Sequence, residues 1–291
     1  MPAQVSDLDK STLSTLTQGI KLPPQPQLML DIKAAHPDLR KIGRLVSRDP
    51  AISAGVLKTV NSPFFGLRRK VASVEQAVVV LGLTNIMNIV NSVALQSSFS
   101  SELDLDHLRE FWQSTNDVAV ACSLLSRKLK IASVDEAFTL GIFHNCAIPI
   151  IFEKYPDYLQ TLESCYADLD GRLTDIETEH YDADHATVGY FISKAWHLPE
   201  SIGEAIQDHH NHDRFNNLSA SSNKETDELC IILKLAEYLA GEHGSLGNTE
   251  SNHEWDAIKT PILNYLGIIE DDIEDLSEEV TTAIQEADLL S

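Results

Sequence analysis

The chain has 291 residues, 43% hydrophobic and 23% charged, with 13 Gly and 11 Pro. That suffices to bury one large core or two modest ones, which excludes global disorder, and it leaves too few turn residues for the many short strands of a sandwich or barrel. The net charge of -22 is uneven, with 11 Lys/Arg against 6 Asp/Glu in residues 1–75 and 11 against 38 in residues 76–291, so the bulk of the chain repels a phosphate backbone and nucleic acid is not expected as a partner.

From the N-terminus, residues 22–26, with Pro23, Pro24 and Pro26, cannot be helical throughout, because proline lacks a donor and restricts its predecessor. A helix is expected over about 27–35, ended by His36-Pro37, and a second over 39–47 with Leu39, Ile42, Leu45 and Val46 at helical spacing. Asp49-Pro50 reads as N-cap and first helical residue of a third helix running to about Val60. Asn61 and Ser62 open a loop through Gly66, where such a pair either caps backbone groups or contacts a ligand. The basic cluster Arg68, Arg69 and Lys70 follows, a solvated run or a binding site for an anionic group.

Ser73 with Gln76 is a weak capping box for a helix that stops at Gly82, and another restarts at Thr84 and runs to about Phe99. This apolar stretch is interrupted by Glu75, Gln76, Asn85, Asn88 and Asn91, and reads as two buried helices rather than a membrane span. Residues 100–106 look like a boundary, followed by a long amphipathic helix over 108–130 and one capped by Ser133 through Phe143. Tyr155-Pro156 and residues 168–171 are breaks. Further helices are expected from Asp184 to about Leu198, from Pro199 to about His210, over 228–242, and near 255–267 and 276–290, with a polar loop over 211–227.

Cys122, Cys146, Cys165 and Cys230 form no Cys-x-x-Cys pair, which fits reduced thiols in the cytoplasm. The N-terminus shows no signal-peptide pattern. Phosphate-binding glycine loops and a Gly-x-Ser-x-Gly elbow are absent from the sequence.

The residues that could carry chemistry are His144 (followed by Asn145), His185, His209, His210 and Glu237. Histidines and carboxylates drawn from successive helices are how helical bundles build metal sites. Each also has a plainer role: a core imidazole bonded to a carbonyl, or a positive charge at a helix C-terminus. Because 209 and 210 are adjacent, at most one is expected to face such a site. His180, His197, His212, His243 and His253 are expected at the surface.

Over residues 20–215 the chain resembles the HDOD domain family, relatives of the HD phosphohydrolases. The resemblance rests on Leu22-Pro23-Pro24, Asp49-Pro50-Ala51, Asn61-Ser62 with Phe65-Gly66, Gln76-Ala77 with Leu81-Gly82, and Trp196-His197-Leu198-Pro199 with His209-His210. It implies an all-α protein with an N-terminal helical lobe (1–100) and an HD-like helical bundle with acidic C-terminal helices (101–291). Set against the HD metal pattern, Ser114 stands at the first His, His144-Asn145 at the His-Asp pair and Glu237 at the late Asp. Losing the aspartate removes the bridge of a two-metal clamp, although the histidines could still hold one divalent transition metal. The resemblance implies a cytoplasmic signal-transduction module without catalysis or a required cofactor, acting through an unknown protein partner or small ligand. A metal-dependent phosphohydrolase with a modified site and a nucleotide second-messenger sensor are the competing readings.

Overall fold

Short polar side chains fix many of the helix starts. Asp38 accepts from Lys41 N, Asp49 from Ala51 N and Ile52 N with Pro50 behind it, and Asp184 from Thr187 N. Asn223 and Asn252 do the same for later helices. Each cap satisfies backbone donors that a first helical turn leaves unpaired.

The computed structural model describes residues 20, 22–23, 25–61, 67, 69–97, 105–167, 172–218 and 221–288. Among them the chain is helical throughout, with no strand. The first helices are α1 (Gln27–Ala35), α2 (Leu39–Val46), α3 (Pro50–Val60), α4 (Val74–Ser97), α5 (Leu105–Leu129), α6 (Val134–Phe143), α7 (Ile148–Lys154) and α8 (Tyr158–Ala167). They are followed by α9 (Leu173–Tyr181), α10 (His185–Ala195), α11 (Glu200–Asp208), α12 (His212–Asn216), α13 (Lys224–Ala240), α14 (Glu242–Gly247), α15 (His253–Leu266) and α16 (Glu270–Asp288).

α2 and α3 pack on α4, while α5 lies against α6, α13 and α16, and α10 against α11. Ile42, Val56, Val78, Ile86 and Val90 are buried on the first side, and Leu125, Leu140, Ile206, Ile231 and Leu235 on the second. Three long-range hydrogen bonds tie the two sides. Trp196 Nε1 donates to Pro23 O at 2.8 Å, Gln25 Nε2 to Trp196 O at 2.8 Å, and Asn88 Nδ2 to Asp135 O at 3.0 Å.

Residues 74–96 have the length and hydropathy (1.8) of a membrane-spanning helix. Gly82 breaks that run with φ 78° and ψ 177°, and Val74, Ala77, Val78, Ile86, Ile89 and Val90 are buried in the core. The break at Gly82 is where the sequence places it. Asn61 takes its capping role: its side chain donates to Leu57 O and Val71 O and accepts from Val71 N, closing the loop.

Several expectations need correction. Ser133 stands at the N-cap of α6 without a side-chain cap bond. Within the loop expected over 211–227, residues 212–216 and 224–227 are helical, the first because Phe215 is fully buried and Arg214 bonds both Asp208 and Asp227. α7, α8 and α9 fill the stretch where the sequence shows only breaks. Residues 62–66, Arg68, residues 100–104 of the expected boundary and the break at 168–171 lie outside the described residues, while residues 105–106 of that boundary open α5.

Candidate functional site

His144 is the C-cap of α6, its amide bonded to Leu140 O at 2.8 Å. α6 reaches α5 closely there because position 141 is glycine; a Cβ would stand 2.5 Å from Ala119 Cα. The Asp184 cap places His185 in the first turn of α10, where its amide donates to Glu177 Oε2 of α9 at 3.0 Å. His209 and His210 follow the end of α11. α13 carries Lys234 and Glu237, and the left-handed Gly241 (φ 73°) turns the chain so that α14 begins at Glu242.

The four imidazoles share one orientation. His144 Nδ1 faces Gly141 O at 2.8 Å, His185 Nδ1 faces Glu177 Oε2 at 2.7 Å, His209 Nδ1 faces Ile206 O at 2.6 Å, and His210 Nδ1 faces Glu254 Oε1 at 2.8 Å. Every one of those partners can only accept, so each Nδ1 carries the proton and donates. The Nε2 atoms are left for one another and for the carboxylates. His185 Nε2 lies 3.3 Å from His209 Nε2, and His144 Nε2 lies 3.1 Å from Glu242 Oε1. Two bare nitrogen lone pairs at that separation repel, so a proton or a cation must lie between them. Fixing imidazole tautomers through Nδ1 is also how metal-binding histidines are held.

The charges follow from burial and neighbours. Burial opposes protonation of His144 and His185, but Glu242 and Glu177 outweigh it and hold both above the usual histidine range. His209 falls well below that range through burial and the neighbouring His210 and Lys234, and His210 falls to about 4, burial again leading. One proton, on His185, therefore serves the His185–His209 pair.

Glu242 accepts from the amide of Asn145, while Asn145 Oδ1, Glu242 Oε2 and Glu237 Oε1 are buried without a hydrogen-bond partner. Lys234 Nζ, almost fully buried, donates to Glu237 Oε2 at 2.7 Å and Glu254 Oε2 at 2.9 Å, and lies 3.4 Å from His210 Nδ1. Glu237 is nevertheless pushed up to about 7, chiefly by burial.

Two sets of ligand atoms each fall within 4.8 Å of one another: His185, His209 and His210, and His144, Glu237 and Glu242. Inward-facing Nε2 atoms and orphaned carboxylate oxygens fit one divalent transition-metal ion. They do not fit a two-metal clamp, because Asn145 is neutral and the Lys234 ammonium already lies against Glu237.

The sequence-derived set is thus brought together: His144, His185, His209, His210 and Glu237 all reach this pocket. The expectation that only one of His209 and His210 faces it is corrected, since α11 ends at Asp208 and the pair no longer follows the helical wheel; their rings stand 4.0 Å apart. Arg69 and Lys70 are exposed ahead of α4 and belong to neither set of ligand atoms. Ser114 is buried on α5. His180 and His197 are exposed, whereas His212, His243 and His253 are half-buried, and His212 stands 3.6 Å from Glu254. Glu242, Lys234, Glu177 and Glu254 are the members that sequence reasoning missed.

Residues 22–212 match the family model described as HDOD domain. A protein of Treponema pallidum is 28% identical over 195 residues, 65% of this chain but 38% of that longer protein. A crystal structure of an HDOD domain protein with unknown function from Geobacter sulfurreducens superposes with TM-score 0.65 at 21% identity, covering 97% of this chain and 99% of the other. A Shewanella amazonensis structure, a phosphohydrolase candidate, gives TM-score 0.67 at 22% identity over 96% and 98%. At such identities the structures establish a common fold.

Proposed function

Because the chain belongs to the HDOD domain family, we propose that it is a cytoplasmic, non-catalytic signal-transduction module acting on a protein partner or through a small ligand. Its two halves would be the N-terminal lobe (1–100) and the bundle (101–291).

The observation that carries this reading is the filling of the pocket by the chain's own groups. Lys234 neutralises Glu237 and Glu254, and Asn145 stands where the hydrolase pattern has aspartate. His144, His185 and His209 are 0% exposed and His210 is 4% exposed. A phosphoester needs an open path to its nucleophile, and the burial of these side chains argues against one. One of the two sets, His185 with His209 and His210 or His144 with Glu237 and Glu242, would hold one ion, which when bound supplies a fixed positive charge at the meeting of α6, α10, α11 and α13. The chain's own contribution is to orient the imidazoles through Gly141, Glu177, Ile206 and Glu254 and to exclude water.

The inward Nε2 atoms and orphaned oxygens keep the phosphohydrolase reading specific enough to test. Elemental analysis of purified protein, beside His144→Ala, is paired with turnover of p-nitrophenyl phosphate, bis-p-nitrophenyl phosphate and nucleotides with added divalent ions. The expected result is at most one ion per chain, lost in the variant, and no turnover. Metal-dependent turnover abolished by His144→Ala would sink the non-catalytic reading.

A further inference from the structure

A second cavity, of about 330 Å³, opens where α1 and α4 face α6 and the loop after α10. That volume lies within the range of small-molecule sites, roughly 300–1,000 Å³. Its floor is apolar: Met29, Trp196 and Ile202 line it and all three are buried. Its polar lining includes two amides with an unpaired oxygen and two carboxylates. Asn91, 5% exposed, presents an Oδ1 with no partner. Gln25 Oε1 is likewise buried and unpaired, and its orientation is fixed because Gln25 Nε2 donates to Trp196 O. Asp135 and Glu136, both half-buried, add two carboxylates. Lys33 is the one Lys or Arg among the described lining residues and is exposed.

A buried amide oxygen without a donor costs free energy that a ligand can recover. Here the two residues that carry such oxygens line one cavity with two carboxylates and an apolar floor. We propose that this cleft binds a small organic cation, a primary amine or guanidinium on a short aliphatic stem. The N–H groups donate to Asn91, Gln25 and the carboxylates, and the methylenes lie on Met29 and Trp196. Burial raises the Asp135 carboxyl, and burial with the nearby acids Glu225 and Asp135 raises that of Glu136, so both gain from a cation close by. A phosphate would meet the same acids as repulsion.

The placement also connects the cleft to the histidine pocket. α6 carries Asp135 and Thr139 into the cleft and has His144 as its C-cap; α10 begins at His185 and has Trp196 as its C-cap. An occupant therefore bears on the far ends of two helices that carry candidate metal ligands. The proposal names a ligand for the small-ligand branch of the reading above and rests on that reading only for the signalling consequence.

The test is titration calorimetry on the full chain with putrescine and agmatine, with glutarate and AMP as comparators. Moderate salt screens nonspecific attraction to the acidic surface. An amine is expected to bind one-to-one, with Asn91→Leu and Asp135→Asn each weakening it by about tenfold and glutarate giving no signal. Asn91→Leu removes an unpaired buried amide, and Asp135→Asn keeps the backbone carbonyl that Asn88 uses, so both variants should fold. Absence of amine binding overturns the proposal, as does affinity unchanged in both variants, or binding of AMP in preference to the amines. Metal content, measured on the same samples, reports separately on the histidine pocket.

Discussion

Asn145 shows how one atom sets the character of the pocket. Its amide donates to Glu242, and its neutrality lets that carboxylate pair with His144. Asn145→Asp would set two carboxylates together in a buried space. In chelator-treated protein this should destabilise the fold by about 1–3 kcal/mol in urea titration, and added divalent ion should recover much of the loss. A variant as stable as the parent without metal would show that Glu242 is not held there. The imidazoles make a second prediction. A histidine raised on folding contributes stability below its unfolded value, near 6.5, and that contribution declines as pH rises towards the folded value. His144 and His185 are of this kind. A depressed histidine contributes above about 6.5 and declines as pH falls towards its folded value, about 4 for His210. Chelated protein should therefore weaken on both sides, and His210→Asn should flatten the limb between 6.5 and 4; a limb left unchanged would assign it to carboxylates. Most of the pocket was legible in the sequence because its histidines and Glu237 sit at helix ends or on a helix with an HD-like order. Glu242 was not, because only the left-handed turn at Gly241 brings it 97 positions along the chain to Asn145. Lys234 was hidden for the opposite reason: a lysine in an apolar helix reads as a solvated end, and its burial depends on Glu254 from α15.

At the scale of helices, two glycines separate packing from backbone strain. Gly141 is a contact glycine: a methyl there meets the backbone of Ala119, so Gly141→Ala must push α6 from α5 and displace the carbonyl that orients His144. A loss of about 3 kcal/mol or more is expected, with reduced metal content. Gly82 has open space around it but a φ/ψ region that only glycine occupies readily. Gly82→Ala should cost about 1–3 kcal/mol and leave metal content unchanged. If both variants lost metal equally, the site would depend on global stability rather than on the α5–α6 contact. Elements with strong local punctuation were readable: Pro50 behind Asp49, the Asp184 cap, the stop at Gly82. α12 was not, because its residues are polar by composition and its helix is held by tertiary contacts, Phe215 in the core and Arg214 between two aspartates.

For the whole molecule the governing quantity is the net charge of -22, which favours solubility and opposes compactness. None of Lys33, Arg40, Lys41, Arg44, Arg48, Lys58, Arg69 and Lys70 forms an ion pair with a described residue, so these described cations of the first quarter do not neutralise the acidic remainder through close contacts. Self-repulsion is therefore relieved by ions in solution, and the urea midpoint should rise with sodium chloride. This background must be separated from site binding. Screening treats magnesium and zinc alike, as dications attracted to a polyanion, and is indifferent to His144. A site built on imidazole nitrogens prefers the softer ion. At fixed ionic strength, zinc at about a hundredfold above its dissociation constant should add about 2.7 kcal/mol. Magnesium should add little, and His144→Ala should respond to the two ions alike. Binding should also weaken as pH falls, because the proton shared by His185 and His209 must leave before the ion can take their Nε2 atoms. Equal stabilisation by both ions, retained in His144→Ala, would place the effect on the acidic surface and leave the pocket to its own protons and Lys234.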